Sequence, residues 1–288
     1  MRNDGRTASP IGLLAGSGRF PIAFAEKARD VGLPVVCVAL GGIAPDELRP
    51  LVHRFHWTHP TRIGTMIRLF KRDGVRQIVM AGKVPKADLM HKPWKIFSLL
   101  PDLRTLRWWY FGRRRDNRDD SLLLSVIDEF AADGLWFESA LAFCPELLVR
   151  PGVLTRRRPS AAEEADIAFG WEMAREMGRL DVGQSVAVKN KAVLAVEAIE
   201  GTDRAILRAG ELCRAGGFIV VKVAKPQQDL RFDVPTVGRD TIETMHRAGG
   251  RVLAVEADRT IFLDRAEAVA LADRYGLTIV AMQGERAV

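Results

Sequence analysis

The sequence predicts an α/β protein of two domains: an N-terminal Rossmann-like parallel sheet with helices on both faces, and a C-terminal mixed α/β domain. Three observations predict it. The 288 residues are long for one hydrophobic core. Apolar strands alternate with amphipathic helices early in the chain, the pattern of a parallel sheet covered on both sides. Later the rhythm changes to paired strands of alternating polarity, followed again by strand and helix. The expected boundaries are 11–150 for the N-terminal domain, 151–160 for a linker around Pro151-Gly152 and Pro159, and 161–288 for the C-terminal domain.

Residues 11–15 are an apolar strand, and Gly16-Ser17-Gly18-Arg19-Phe20-Pro21 is a tight loop. Helical spacing follows over 22–31, a buried strand over 34–40, a second amphipathic helix over 61–71 and a third strand over 77–81, which runs into Gly82-Lys83. Residues 93–111 turn helical and aromatic, and 121–132 form an amphipathic helix behind Asp119-Asp120. Ser160-Ala-Ala-Glu163 after Pro159 is a capping box opening a helix to about Gly178. Residues 185–189 and 192–200 alternate as strands about Asn190-Lys191, a hairpin turn where glycine is expected. Thr202 or Asp203 caps a helix ending near Gly216-Gly217. Then come a strand over 218–223, a helix from about 241, strands over 252–256 and 260–263, a helix over 265–275 and a strand over 277–282.

Composition is that of an ordinary soluble globular chain, 48% apolar and 27% charged, and no run approaches the ~18 apolar residues of a membrane span. The N-terminus, MRNDGRTASP, is short and polar, unlike a signal peptide. Cys37, Cys144 and Cys213 are widely spaced among apolar neighbours, which suits buried thiols in a reducing cytoplasm. His53, His56 and His59 lie three apart in a strand-and-loop context that does not gather them around zinc. The net charge of +7 is concentrated in 104–118 and 156–158, and it narrows the partner to an anionic one.

The chemistry concentrates in KVAKPQQDLRFDVPTVG, residues 222–238. A buried strand ends near Lys222 and Lys225. If 229–234 is extended, Asp229, Arg231 and Asp233 share one face while Leu230, Phe232 and Val234 face the core. Two carboxylates about a guanidinium, beside two lysines, suit an anionic substrate attacked by an activated water; a salt-bridged surface strand shows the same pattern. Gly16-Ser17-Gly18 between a strand and a helix is a candidate anion loop, although Pro21 occupies the third glycine position of a dinucleotide fingerprint. Lys83 stands at the carboxyl edge of the sheet, within reach of a phosphate or solvated. Glu197 and Glu200 lie near Thr202, and a buried Glu197 needs a lysine, a metal or a proton, with Lys189 and Lys222 as candidates. Arginines and aromatics interleave over 104–118, which fits single-stranded nucleic acid, a membrane interface or acyl pocket, or aromatics that simply pack.

GLLAGSGRFP (12–21), MAGKV (80–84), PGVLTRR (151–157), LDVGQSVAVK (180–189), VLAVEAIEGTD (193–203) and residues 222–238 together resemble the UDP-2,3-diacylglucosamine pyrophosphatases of the LpxI type, enzymes of lipid A biosynthesis. The likeness spans essentially the whole chain after residue 10. It implies a hydrolase that cleaves UDP-2,3-diacylglucosamine to UMP and 2,3-diacylglucosamine 1-phosphate (lipid X), with water attacking the β-phosphorus and magnesium required. It further implies a catalytic C-terminal domain, lipid held between the domains, work at the cytoplasmic face of the inner membrane as a peripheral protein, and a homodimer. The family's essential aspartate falls by motif on Asp233, with Asp229 as the fallback. Lys222 and Lys225 join them as catalytic candidates. Gly16, Ser17, Gly18, Lys83, Thr155, Gln184, Lys189, Thr202, Arg231 and Thr236 are the substrate-binding candidates, and Asp233, Glu197 and Glu200 the metal candidates.

Two other classes remain open on the residues. One is a non-catalytic nucleic-acid binder using the basic aromatic stretch, although the resemblance implies no nucleic acid. The other is an oxidoreductase with a dinucleotide in its first domain, against which stand Pro21 and the lack of a clear ribose-binding acid after the second strand.

Overall fold

The computed structural model describes residues 9–83, 101–111, 119–229, 231 and 233–284. The chain divides into two compact units at Cys144/Pro145.

In the N-terminal unit five strands lie in the order β3-β2-β1-β4-β5, all parallel. They are β1 (Ile11–Ala15), β2 (Val35–Leu40), β3 (Arg54–Thr58), β4 (Gln77–Ala81) and β5 (Trp136–Glu138). Helices α1 (Phe20–Asp30), α2 (Ile63–Arg72), α3 (Leu103–Phe111) and α4 (Asp119–Ala131) accompany them. Every residue of β2 is buried, as a central parallel strand requires, and Phe24, Phe70 and Phe130 from α1, α2 and α4 fill the core. The order reverses between β1 and β4, the place where such sheets open a crevice at their carboxyl ends.

Pro21 sits in the first turn of α1, where its missing N–H costs nothing. Strand β3 escapes the sequence pattern because it is an edge strand whose Arg54 and Trp57 are exposed. The short β5 was also missed. The aromatic segment is split: Trp108 is buried, while Arg113, Arg114 and Arg115 and residues 93–100 lie outside the described residues.

The C-terminal unit is built on a six-stranded sheet in the order β6-β13-β11-β9-β7-β8. Its strands are β6 (Gly152–Val153), β7 (Ser185–Lys189), β8 (Ala192–Val196), β9 (Phe218–Lys222), β11 (Gly250–Glu256) and β13 (Thr278–Met282). A two-stranded ladder, β10 (Thr236–Val237) with β12 (Ile261–Phe262), lies apart from it. Helix α5 (Ala161–Arg179) covers one face through Ile167 and Ala174. The other face packs on α6 (Thr202–Leu212), α7 (Arg239–Ala248) and α8 (Arg265–Tyr275) through Ile206, Ile242, Met245 and Leu271. The Ser160/Glu163 capping box forms as expected.

Residues 151–160, expected as a linker, are woven into this unit. Gly152 and Val153 pair with β13, the Leu154 N–H bonds Ile279, and Arg157 joins Thr278 to Glu163.

The β7–β8 hairpin turns on Asn190 (φ 51°) and Lys191 (φ 57°), two left-handed residues without glycine. The compensation comes from α5. Buried Asp166 accepts the N–H groups of Asn190 (2.8 Å) and Lys191 (2.7 Å), which holds the strained turn. Asp166→Ala is therefore expected to cost about 2–4 kcal/mol, the scale of losing two charge-assisted bonds, measured by urea unfolding.

Candidate active site

Strands β9, β11 and β13 are parallel, and β8 runs with them because β7 is antiparallel to both β8 and β9. The carboxyl ends of β8, β9, β11 and β13 and the start of β7 thus share one edge. That edge gathers Gln184, Glu197, Thr202, Lys222, Lys225, Asp229, Arg231, Asp233 and Thr236, carried on loops that are short and mutually tied.

The ties are specific. The Val223 N–H bonds the Gln184 carbonyl (3.0 Å), and Gln228 Nε2 meets Gln184 Oε1 (3.3 Å). Lys225 Nζ pairs with Asp181 at 2.6 Å. Buried Glu256 ends β11 and accepts the Ala224 N–H at 2.7 Å, with Arg259 at 3.6 Å from its other oxygen. Asp181, Gln228 and Glu256 are the supporting residues of this edge. Of these, Glu256 closes the apolar strand β11.

The expected strand over 229–234 is replaced at its described residues by a turn linking Asp229, Arg231 and Asp233. The Asp233 N–H bonds back to the Asp229 carbonyl (3.0 Å), and the Asp229 carboxylate takes both the Arg231 N–H (3.0 Å) and its guanidinium (2.6 Å). An aspartate bonding its own backbone two residues on favours such a turn over a strand. Leu230 and Phe232 lie outside the described residues. The hydrogen bonds from Arg231 hold the Asp229 carboxyl below the usual carboxylate range, against a smaller opposing effect of burial. Asp233 differs: no described residue hydrogen-bonds or pairs with its half-buried carboxylate. The two acids that the sequence left nearly interchangeable are thus a tethered one and an uncommitted one.

Thr202 does not cap α6; that position is Gly201, at φ 85°. Its hydroxyl instead donates to Glu197 Oε1 (2.9 Å) and accepts from Lys222 Nζ (3.0 Å), which also bonds the Thr236 carbonyl (3.1 Å). The Thr236 hydroxyl itself bonds the Val234 carbonyl. Strand β8 ends at Val196, so Glu197 stands just past the strand and not within it.

Other expected residues do not converge here. Lys189 lies at the far end of β7 and bonds the Gly216 carbonyl, so it is no partner for Glu197. Thr155 accepts the Ile279 N–H (3.0 Å) and donates to Arg157, a buried structural role. Glu200 is held by Arg208 at 2.6 Å. Among the described residues no three His, Cys, Asp or Glu side chains group as metal ligands, so Asp233, Glu197 and Glu200 do not form a cage.

In the N-terminal unit, Gly16, Ser17, Gly18 and Lys83 do meet at the β1/β4 switch point. The N–H groups of Gly16 and Ser17 are spent on Ala81 and Lys83, and that of Lys83 on Ser17. The expected anion cradle is thus narrowed to Gly18 and the start of α1. The glycines serve contact: a Cβ on Gly16 would fall 2.6 Å from the Lys83 carbonyl, and one on Gly82 2.6 Å from that of Ser17.

Comparison with known proteins agrees with this division. The model of the LpxI N-terminal domain matches residues 10–147, and that of the LpxI C-terminal domain residues 150–280. A UDP-2,3-diacylglucosamine pyrophosphatase LpxI from Caulobacter vibrioides is 33% identical over 283 residues, covering 94% of this chain and 96% of the relative. With the two family domains matched over residues 10–147 and 150–280 and a relative aligned along nearly its whole length, the chain belongs to the LpxI family.

Proposed function

We propose that this protein hydrolyses the pyrophosphate bond of UDP-2,3-diacylglucosamine, releasing UMP and 2,3-diacylglucosamine 1-phosphate. The observation that carries the reading is the near full-length match to a relative of that name. The geometry supports it. Helices α6 and α7 begin at the edge that bears Asp233, and no side chain of a described residue caps either N-terminus. Helix N-termini, with their first N–H groups and dipoles, favour phosphate oxygens. Arg231, half-exposed and oriented by Asp229, adds a guanidinium to the same edge.

Water attacks the β-phosphorus, the bond from that phosphorus to the bridging oxygen breaks, and UMP leaves with that oxygen. Asp233 orients the water and takes up its proton, a role open to an acid that no described residue engages. Magnesium would be carried chiefly by substrate phosphates and water, with Asp233 as the protein carboxylate that would hold it. When bound, it supplies charge neutralisation on the phosphoryl oxygens.

A diacylated substrate places the protein at the cytoplasmic face of the inner membrane. No helix of the described residues is long and apolar enough to cross a membrane. Helix α3 instead presents Leu103 (86% exposed), Arg107 and Tyr110 (65% exposed) at one helical face, a fitting peripheral contact.

Turnover of UDP-2,3-diacylglucosamine in ¹⁸O water tests the reading. Label is expected in the lipid phosphate; label in UMP would place attack at the α-phosphorus, and absence of turnover with any divalent cation would end the proposal.

A further inference from the structure

Three side chains form a buried polar row across the C-terminal sheet. Val186 pairs with Val196 and the Glu197 N–H bonds Ser185, so Glu197 stands opposite Ser185; Ser185 in turn pairs with Lys222. Residues opposite one another in neighbouring strands share a face, and alternation puts these three on the face of Ala187, Ala195 and Val220. That face is the core beneath α6 and α7, so its last row at the site edge is polar. Glu197 is 7% exposed, Ser185 2% and Lys222 5%.

Charges so placed are costly unless they are paired and hydrogen-bonded, which implies a reason for having them. Glu197 is buried beneath the edge rather than open at it. One oxygen takes the Thr202 hydroxyl, while the other, Oε2, and the Ser185 hydroxyl are buried without a partner among the described residues. Thr202 has one proton and gives it to Glu197, so it faces Lys222 as an acceptor. Lys222 then reaches the Thr236 carbonyl, on the loop that carries Asp233.

We propose that Glu197 is a positioning residue: acting through Thr202, it holds the Lys222 ammonium as a staple that fixes the Asp233 loop over the sheet edge. This replaces a metal role for Glu197. Its catalytic consequence rests on the hydrolysis proposed above, whereas the staple itself does not.

The test is amide hydrogen exchange and steady-state hydrolysis on the full chain with Thr202→Val, Thr202→Ser and Glu197→Gln. Thr202→Val and Glu197→Gln are expected to speed exchange in 229–238 by about tenfold or more, leaving β9 and β11 protected. They should lower kcat about 10- to 100-fold with KM within about threefold, as misplacement of a reacting group does. Thr202→Ser keeps the hydroxyl and should return both readouts to within about threefold of wild type. Unchanged loop exchange would overturn the proposal, and so would faster exchange throughout the C-terminal unit or a loosened loop with undiminished kcat. A wild-type protein that does not turn over the substrate would sink the proposed function, while the exchange readout would still decide the staple.

Discussion

Asp233→Ala is expected to lower kcat for UDP-2,3-diacylglucosamine by about 10³-fold or more, with a melting temperature within a few degrees of wild type. Both halves follow from the same geometry. No described residue engages the Asp233 carboxylate, so truncation removes no internal bond. The loop stays anchored through its backbone, by Asp233 to Asp229, Ile261 to Pro235 and Lys222 to Thr236. What is lost is the acid proposed above to serve water and metal.

Asp229→Ala is the informative contrast. Its carboxylate takes the Arg231 N–H and guanidinium, so removal frees an arginine without removing Asp233, the acid proposed to react. A loss of only about tenfold, with KM rising as the guanidinium loses its place, is expected. Asp229 has a depressed folded pKa, so its stabilising contribution is present above its unfolded pKa and lost as pH falls through the folded one. At neutral pH it is fully ionised and bound to Arg231, a poor proton acceptor. The reverse ranking, with Asp229→Ala dead and Asp233→Ala active, would transfer the catalytic role to Asp229.

Strand–helix alternation was legible because buried parallel strands carry unbroken apolar runs: residues 11–15 and 77–81 coincide with β1 and β4. Edge strands β3 and β6 were not legible, since β3 carries exposed polar side chains and β6 is two residues long. At the candidate site, chain position brings Lys222, Asp229 and Asp233 to one sheet edge, as the sequence suggests, but does not give their bonding. Alternation suggested a strand where the Asp229 side chain imposes a turn, because local side-chain-to-backbone bonding outweighs a short period-two pattern. Glu197 was recognised as a buried acid needing a partner. That the partner is the Thr202 hydroxyl depends on Gly201 delivering the start of α6 over the strand end, which no spacing rule contains. Lys189 was misplaced because an alternating hairpin does not say which end of the strand meets the site.

Gly183→Ala should be the most damaging small substitution in the C-terminal unit, although it adds one methyl group in a loop. The new Cβ would fall on the Glu197 carbonyl oxygen and stand 2.7 Å from its carbon. Both are backbone atoms, so no rotamer relieves the clash. The two segments are also tied nearby, Glu197 N–H to Ser185 and Gln184 to Val223, so separating them breaks hydrogen bonds and pulls Glu197 from Thr202. A cost of about 3–5 kcal/mol is expected. For a unit of this size that lowers its thermal transition by about 10–15 °C. Activity should fall with it, because the displaced segment carries the acid beneath the Lys222 staple. Gly178→Ala is the matched control: a Cβ there meets Lys225 and Pro226 at 3.5 Å, ordinary contact, in the last turn of α5. It should be neutral or stabilising by up to about 1 kcal/mol. A Gly183→Ala protein that melts like wild type would mean the 183–197 contact is looser than the fold has it, and with that contact would go the rigid seat on which Glu197 positions Lys222.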